Sequence, residues 1–292
     1  MQNIKKAVFP VGGLGTRFLP VTKSSPKEML PIVDKPLILY AVEEAQKAGI
    51  EEFIFVTGRG KSAIEDFFDH SYELTAELQK RRKEEELALI NDFLLKPGQI
   101  SYIRQQEPLG LGHAVWCARH LIGNEPFAVL LADDLIMSRS SCLEQMCRSY
   151  QSGNMVALMS VARDDVNKYG ILDVENVVEK LVYAQDIVEK PSPQEAPSTM
   201  AVIGRYILDP RIFEILERQE KGIGGEIQLT DALRFMLRKN VCPLTGFLFE
   251  GNRFDCGTRP GFLEATIAFA LAREDLKEDM KAILKGYSDI RR

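Results

Sequence analysis

The strongest constraint on the fold is an alternation of short apolar segments with helical segments over the first ~160 residues. Apolar residues recur at helical spacing between the short segments, which are too short to be core helices themselves. Strand–helix–strand units of this kind favour parallel pairing, with helices on both faces of the sheet. We therefore expect an α/β fold with a doubly wound, mostly parallel, Rossmann-like mixed sheet. The predicted strands are KKAVFPV, EEFIFVTG, QISYIRQ, PFAVLLAD and NMVALMSVA.

The rest of the sequence adds further features to this sheet. Residues 161–202 alternate between apolar and polar positions, and GILDVENVVEKLVYAQDIVEKP predicts an antiparallel hairpin that turns around Glu175–Asn176. Helical patterns predict an insertion over about 71–96 and a closing helical segment over about 260–284. Because no long polar linker separates these parts, we expect a single domain over 1–292.

Composition and charge exclude several classes of protein. The chain has 292 residues, of which 45% are hydrophobic, and a formal net charge of −5. This negative balance argues against general nucleic-acid binding, so phosphate recognition would need a local cationic pocket. No apolar stretch approaches the ~20 residues of a membrane helix, and the apolar run after Lys5 and Lys6 is too short for a secretory signal. We expect a cytoplasmic protein without membrane contact.

The five cysteines do not suggest a metal centre or a disulfide framework. None of them forms a CxxC pair, and the three histidines are not spaced with them as zinc ligands would be. An odd number of cysteines in a cytoplasmic protein indicates reduced thiols, which commonly pack as small apolar side chains. A zinc site is therefore not expected.

A glycine-rich segment followed by cationic residues occupies positions 7–31, AVFPVGGLGTRFLPVTKSSPKEMLP. It does not fit a dinucleotide-binding fingerprint, because Phe18 stands where the third glycine is needed and prolines interrupt the expected helix. The GxxxxGK[ST] pattern of a P-loop is absent as well. The pattern fits a glycine turn whose backbone N–H groups approach a nucleotide, with Arg17 and Lys23 or Lys27 supplying charge for its phosphates.

The string GxGTRxxPxTxxxPKxMLP in this segment resembles the signature of the sugar-1-phosphate nucleotidyltransferases. Its particular form, GLGTRFLPVTKSSPKEMLPIVDKPLI, is similar to that of the bacterial UTP–glucose-1-phosphate uridylyltransferases within that family. Further motifs follow in the family's order and span almost the whole chain, so the ordered set is far more specific than any one of them. They are GLGHAV, LADD, YGILD, VEKP, GRYIL, GGEIQLTDAL and FDCGT.

The resemblance implies transfer of a uridylyl group from UTP to glucose-1-phosphate, with UDP-glucose and pyrophosphate as products. A phosphate oxygen of the sugar phosphate would attack the α-phosphorus of UTP in line. That oxygen is already anionic at neutral pH, so no general base is required, and the sequence has no Ser–His–Asp signature. Catalysis would then come from positioning and charge neutralisation, with Mg²⁺ as the implied cofactor.

The resemblance also assigns roles to individual residues. Arg17 and Lys27 would bind the triphosphate and stabilise the leaving pyrophosphate. Lys190 would neutralise the sugar phosphate, Glu189 would accept hydrogen bonds from sugar hydroxyls, and Gly170 would let the main chain approach the sugar ring.

Recognition of the uracil base is assigned to backbone groups around Gly12 and Gly13, and to Gln105, which ends the third predicted strand, with Gly110 nearby. A side-chain amide can satisfy both a donor and an acceptor on a base, which favours Gln105, with its neighbour Gln106 as an alternative. The residues implied in nucleotide binding are Gly12, Gly13, Leu14, Gly15, Gln105, Gly110 and Asp133.

Two aspartates are candidates for the metal. Asp133 stands at the C-terminal end of an apolar strand, at the edge where open α/β sheets bind ligands, and Asp255 in FDCG joins it by resemblance. The adjacent Asp134 is an alternative to Asp133. Because neighbouring strand residues face opposite sides, we expect only one of this pair to reach the metal, and alignment of LAD favours Asp133.

Several alternatives stay open from the sequence. A thymidylyltransferase acting on the same sugar phosphate, or a catalytically silent sugar-nucleotide-binding subunit, would share the fold. Thr230 and Asp231 suit either the sugar end of the site or a helix N-cap, and His113 and Trp116 are expected to be packing residues. Since relatives assemble as dimers or tetramers, a homodimer or homotetramer is expected by resemblance.

Overall fold

The computed structural model describes residues 3–288. Its strands are β1 (Lys6–Pro10), β2 (Pro31–Ile32), β3 (Lys35–Pro36), β4 (Glu52–Thr57), β5 (Ile100–Arg104), β6 (Phe127–Leu130), β7 (Asp134–Met137), β8 (Asn154–Ser160), β9 (Gly170–Val178), β10 (Leu181–Glu189), β11 (Met200–Leu208), β12 (Leu244–Leu248) and β13 (Asn252–Asp255). Its α-helices are α1 (Leu37–Lys47), α2 (Ser62–Phe68), α3 (Tyr72–Lys80), α4 (Glu84–Asn91), α5 (Leu111–Cys117), α6 (Arg119–Ile122), α7 (Cys142–Ser149), α8 (Ile212–Arg218), α9 (Leu229–Arg238), α10 (Arg259–Ala272) and α11 (Lys277–Ser288).

Nine of these strands form one mixed sheet in the order β5-β4-β1-β6-β11-β8-β12-β10-β9. The first four are parallel, as the strand–helix alternation predicts. The expectation of a mostly parallel sheet is wrong beyond them, because β11 pairs antiparallel with both β6 and β8. Chain order reverses between β1 and β6, so a crevice opens there beyond the carboxyl ends of both strands.

Helices cover both faces of the sheet, which agrees with the doubly wound prediction. The alternation along β1 sends Phe9 to one apolar cluster, with residues of α1, α2 and α7. It sends Val8 to the other, with residues of α5, α8 and α9. Both side chains are completely buried, and full burial of each stabilises the fold by roughly 1.5–3 kcal/mol.

The predicted hairpin is formed by β9 and β10, but its turn is not at Glu175–Asn176. Both residues lie inside β9, and the turn is made by Glu179 and Lys180, where Glu179 has a φ of 55°. Asn176 pairs with Tyr183, and the pairing then slips so that Glu175 has no partner across the ladder. The polar pair that suggested a turn therefore marks a β-bulge.

Each of the two predicted helical segments consists of two helices. The insertion over 71–96 is split into α3 and α4 at Arg82, whose φ is 56°, and neither helix contributes a buried residue. The closing segment over 260–284 is likewise two helices, α10 and α11. None of the helices within residues 3–288 has the length and apolar character to cross a bilayer. The prediction of a single domain over 1–292 includes 1–2 and 289–292, which lie outside the described residues.

Candidate active site

The glycine loop (residues 12–15) and the predicted metal ligand, Asp133, lie side by side because β1 and β6 are neighbours. The loop leaves the carboxyl end of β1, and its start is fixed by the Val11 N–H, which donates to the Val56 carbonyl at 2.9 Å. Asp133 follows the carboxyl end of β6, on the connection to β7. The prediction that this strand itself ends at the acid is wrong, since β6 stops at Leu130.

The loop folds back so that its later lysine lies against its glycines. Gly15 adopts a left-handed φ of 65°, and its carbonyl accepts a hydrogen bond from Thr22 Oγ1 at 2.8 Å. A single turn of 3₁₀ helix, Lys27–Met29, then brings Lys27 beneath the loop. Its Cε lies 3.7 Å from the position that a Cβ on Gly13 would occupy, which is van der Waals distance, so the lysine lies directly against this glycine.

Lys27 and Asp133 form an ion pair with 2.6 Å between Nζ and Oδ2, and each side chain is about a quarter exposed. Burial opposes the charged form of Lys27, but the charges of Asp133 and Glu28 outweigh it and raise the pKa of Lys27 above its usual value. Burial opposes ionisation of Asp133 as well, but Lys27 lowers the pKa of that carboxyl. Both groups are therefore charged at neutral pH.

A second ion pair, almost fully buried, supports this lysine. Lys61 donates to Glu28 Oε2 at 2.7 Å, and the two residues are only 6% and 1% exposed. Since Glu28 is the neighbour of Lys27, this contact ties the segment after β4 to the turn that carries Lys27. Nothing in the one-dimensional pattern of charges marked Glu28 and Lys61 as partners.

Asp133 and Asp134 have different surroundings. Asp134 is buried: its Oδ2 accepts a hydrogen bond from the Gly204 N–H at 2.5 Å, and its Oδ1 accepts from the Arg253 guanidinium. The Asp133 carboxylate instead contacts Lys27 beside open space. Both residues line the crevice, but their carboxylates make separate contacts: Asp134 is bonded to Gly204 and Arg253, whereas Asp133 pairs with Lys27.

The backbone between β6 and β7, which carries Asp133, is held in place by Arg205, a residue that is only 1% exposed. Arg205 pairs with Glu44 through Nε and Nη2 at 3.0 and 2.8 Å. It also donates to the carbonyls of Leu131 and Asp134, at 2.9 and 2.8 Å. These bonds bracket Asp133 in the chain, so a buried arginine on a central strand holds the backbone around a crevice residue.

Asp255 reaches Asp133 through the pairing of β13 with β7, in which Asp255 lies opposite Asp134. Asp133 Oδ2 and Asp255 Oδ1 lie 2.9 and 3.0 Å from the position that a Cβ on Gly257 would take. Arg17 Nη1 lies 3.6 Å from the same position. The absence of a side chain at Gly257 therefore leaves a polar cradle between the two carboxylates and a guanidinium.

Arg253 lies within the crevice but was missed by the sequence analysis. It donates to Asp134 and, at 3.0 Å, to the Tyr169 hydroxyl, and its Nη2 is 3.8 Å from Asp255 Oδ2. A signal was present: Arg253 and Asp255 are two residues apart on one strand, so their side chains share a face. It was not used because the motif FDCG begins after the arginine.

The hairpin supplies the predicted sugar-phosphate residues. Lys190 Nζ is 3.2 Å from Glu189 Oε1, and Glu189 is largely buried whereas Lys190 is open to solvent. A Cβ on Gly170 would lie 3.4 Å from Glu189 Oε2 and 3.1 Å from Thr230 Oγ1. Thr230 is therefore beside the predicted sugar end and is not a helix N-cap, since α9 begins at Leu229 with Gln228 as its cap.

One cavity of about 830 Å³ joins the residues predicted to bind the triphosphate to those predicted to bind the sugar phosphate. A groove of about 1070 Å³ lies elsewhere, along Arg148–Gln151 and Glu179–Leu181, and contains none of the predicted site residues. Seven of the predicted site residues line the smaller of these two cavities, which is therefore the candidate site. Those residues are Arg17, Lys27, Asp133, Gly170, Glu189, Lys190 and Asp255.

The predicted base-binding residues lie at the other side of the glycine loop. Gln105 is buried, and its Nε2 donates to the Gly110 carbonyl at 3.1 Å, whereas Gln106 is exposed. The Oε1 of Gln105 lies 3.0 Å from the position that a Cβ on Gly12 would occupy. Gly110 also has a packing reason to be glycine, because a Cβ there would lie 2.7 Å from Glu226 Cβ and its φ is 102°.

A protein-family model matches most of the chain. A model described as nucleotidyl transferase matches residues 6–270 of the chain. This chain belongs to the nucleotidyl transferase family. Among curated relatives of this nucleotidyl transferase, the UTP–glucose-1-phosphate uridylyltransferase YngB of Bacillus subtilis is 48% identical over 97% of this chain and 95% of its own length. One from Pseudomonas aeruginosa is 51% identical, covering 90% of this chain and 95% of its own length.

Solved structures of similar proteins extend the comparison to three dimensions. A UDP-glucose pyrophosphorylase complexed with UDP-glucose superposes on this nucleotidyl transferase with a TM-score of 0.83, at 48% identity, over 92% of this chain and 100% of the other. A UTP-bound enzyme from Acinetobacter baumannii gives a TM-score of 0.89 at 39% identity, over 99% and 100% of the two chains. The resemblance noted in the motifs thus extends over the whole fold.

Proposed function

We propose that this nucleotidyl transferase transfers the uridylyl group of UTP to glucose-1-phosphate, which gives UDP-glucose and pyrophosphate. The observation that carries the proposal is the single cavity in which Lys27, Asp133 and Asp255 face Glu189 and Lys190. An anion-binding end and a sugar-binding end within one crevice suit a reaction between a triphosphate and a sugar phosphate. The names of the full-length relatives support the same substrates.

In the proposed mechanism, a phosphate oxygen of glucose-1-phosphate forms a bond to the α-phosphorus as the bond from that phosphorus to the pyrophosphate oxygen breaks. The attacking oxygen is already ionised, so no proton has to move. Lys190, an exposed cation beside Glu189, holds the incoming phosphate, while Glu189 accepts hydrogen bonds from the sugar. Arg17 and Lys27 bind the triphosphate and stabilise the charge that develops on pyrophosphate.

Binding of UTP changes the partner of Lys27 in this proposal. The ammonium contacts Asp133 in the structure, so it turns from that carboxylate to the phosphates when the nucleotide enters. The two interactions are of the same kind, an ammonium with an anionic oxygen, so Lys27 keeps an anionic partner and the Asp133 carboxylate is released to bind the proposed metal. The buried Glu28–Lys61 pair keeps the backbone of Lys27 in place meanwhile.

The residues around Gly257 fit a magnesium ion. Asp133 and Asp255 direct carboxylate oxygens at the space that a Cβ on Gly257 would fill, and Mg²⁺ is commonly held by one or two carboxylates together with substrate phosphates. We propose Asp133 and Asp255 as its ligands, with Asp134 excluded by its bonds to Gly204 and Arg253. When bound, the ion would neutralise negative charge on the phosphates.

A pyrophosphate-release assay over a matrix of nucleoside triphosphates and sugar phosphates tests the proposal. We expect turnover with UTP and glucose-1-phosphate to exceed turnover with dTTP, which separates the uridylyl from the thymidylyl activity. We also expect turnover to stop when divalent metal is chelated. A preference for dTTP, or no release of pyrophosphate with any pair, would contradict the proposal.

We further propose a cytoplasmic homodimer or homotetramer. The last two helices carry large apolar side chains at the surface, including Leu263 on α10, which is 62% exposed, and Tyr287 on α11, which is 70% exposed. Exposed apolar patches of this kind often mark protein interfaces. Light scattering coupled to gel filtration measures the assembly, and a monomer at all concentrations would contradict it.

A further inference from the structure

His113 contacts the proposed base-binding glutamine, although its residue type and position first suggested packing. It lies in the first turn of α5, and its Nδ1 is 3.1 Å from Gln105 Nε2. Its ring stacks on Trp116 with 5.8 Å between centroids and 22° between planes, which fixes the ring orientation. The same Gln105 nitrogen donates to the carbonyl of Gly110 at 3.1 Å.

These two contacts determine how the Gln105 amide is oriented. The carbonyl of Gly110 can only accept, so the amide atom that faces it must be the nitrogen. That nitrogen has two hydrogens, and the second is directed at His113 Nδ1, which must then carry a lone pair. With both hydrogens engaged, Gln105 presents Oε1 on its other side, next to Gly12 at the start of the glycine loop.

A carbonyl oxygen at this place distinguishes uracil from cytosine. Uracil has an N–H at ring position N3, which donates to such an oxygen, whereas cytosine has a lone pair at N3 that repels it. We propose that His113 is a positioning residue that makes the site select UTP over CTP, by holding Gln105 with its carbonyl oxygen toward the base. This inference rests on the proposed function, because it takes the base to lie beside Gly12 and Gln105.

The selection should respond to protonation of His113. Burial lowers the pKa of this histidine, Glu107 opposes that effect and Arg119 adds to it, and Arg104 lines the same small cavity. The net effect lowers the pKa of His113, so its ring is neutral at pH 7 and Nδ1 accepts a hydrogen bond from Gln105. Once protonated, Nδ1 becomes a donor that opposes the amide nitrogen, so only the Gly110 carbonyl still holds the amide and Oε1 is held less firmly toward the base. A loosely held amide discriminates less strongly against cytosine.

The test is the ratio of kcat/KM for UTP to that for CTP, measured from about pH 5.5 to about pH 8. The two nucleotides share their triphosphate, so its titration cancels in the ratio. We compare the wild type with His113→Asn, in which the amide oxygen takes the place of Nδ1 as an acceptor that does not protonate, and with His113→Leu, which has no acceptor. His120→Asn is the matched control, since His120 is exposed on α6.

We expect the wild-type ratio to fall by about tenfold as the pH drops through the pKa of His113, with the loss mainly in KM for UTP. His120→Asn should behave in the same way. His113→Asn should keep the neutral-pH ratio at every pH, whereas His113→Leu should lower it by about tenfold throughout.

A wild-type ratio that does not change with pH, or a His113→Asn enzyme with the wild-type pH profile, would overturn the inference. The comparison of these two proteins does not depend on whether His113→Leu folds. If the wild type turned over glucose-1-phosphate with UTP but showed no preference over CTP, this inference would fail and the proposed function would stand. If the wild type neither bound nor used UTP, both would fail.

Discussion

Lys27 Nζ and Asp133 Oδ2 lie 2.6 Å apart although 106 positions separate the two residues in the chain. Each lies on the segment that follows one of two neighbouring parallel strands, β1 and β6. The lysine proposed to bind phosphates and the aspartate proposed to bind metal therefore neutralise one another in the absence of substrate.

Replacement of Lys27 by alanine should lower kcat by a factor of about 10²–10³ and leave the fold intact, because the ammonium acts on charge that develops during transfer. Steady-state rates at saturating UTP and Mg²⁺ measure the effect, and circular dichroism checks the fold. Lys23→Ala is the control, since Lys23 lies exposed on the same segment and outside the cavity. Near-normal turnover by Lys27→Ala would show that the role is misassigned.

The two adjacent aspartates should respond differently to the same change. Asp133→Asn should abolish most activity and weaken the dependence on Mg²⁺, with little change in stability. Asp134→Asn removes the charge that the largely buried Arg253 side chain pairs with, so we expect it to lower the free energy of unfolding by about 3 kcal/mol. Urea unfolding and Mg²⁺ titrations of activity separate the cases. A stable, inactive Asp134→Asn with an active Asp133→Asn would reverse our assignment.

Gly257→Ala tests the cradle between the carboxylates. The added methyl would lie within 3.0 Å of both Asp133 Oδ2 and Asp255 Oδ1, where we place the metal. We expect the Mg²⁺ concentration for half-maximal rate to rise at least about tenfold, which is roughly 1.4 kcal/mol. Gly286→Ala on α11 is the control, because a Cβ there meets nothing within 4 Å. An unchanged Mg²⁺ requirement would argue against Gly257 as part of the metal site.

Removing one charge of the buried pair of Glu44 and Arg205 should destabilise the protein strongly. Replacing both residues with apolar ones should destabilise it much less. Glu44→Gln leaves a guanidinium that is 1% exposed without its counter-charge, which typically lowers the free energy of unfolding by about 3–5 kcal/mol. The double variant Glu44→Leu with Arg205→Met removes both charges and should recover part of that stability. Urea denaturation measures both, and equal losses in the single and double variants would contradict this account.

Stability should fall in acid because of one partly buried carboxylate. Burial disfavours the charged form of Asp186, but hydrogen bonds from Arg234 and Arg238 lower its pKa from 3.8 to about 2. A depressed pKa means that the contribution is complete above the unfolded value of 3.8 and disappears as the pH falls through about 2.

Asp186→Asn should accordingly lower the free energy of unfolding by about 2 kcal/mol at pH 7, with the difference from wild type shrinking below pH 3.8. Chemical denaturation at both ends of this range measures the difference. Glu175→Gln, at an exposed position on β9, serves as the control. A difference that stays constant into acid would assign the effect of Asp186→Asn to packing instead.

The sequence by itself was sufficient for the order of strands and helices through the parallel half of the fold. Periodicity is a local property, and it located β1, β4 and β5 because each is a short apolar run that contrasts with the helical patterns along the chain. Motif order was likewise sufficient for the family, which the matching model over 6–270 confirms. It also provided the seven cavity residues, although their individual roles stay predictions.

Only the tertiary structure decided the relationships between distant parts of the chain. The local pattern placed the hairpin turn at Glu175–Asn176, because it contains no information on the register with β10 that makes this point a bulge. It left Asp133 and Asp134 nearly equivalent, and the difference arises from Arg253 on β13. Buried charges such as Arg205 find their partners through strand order, and strand order is fixed by the packing of the whole sheet.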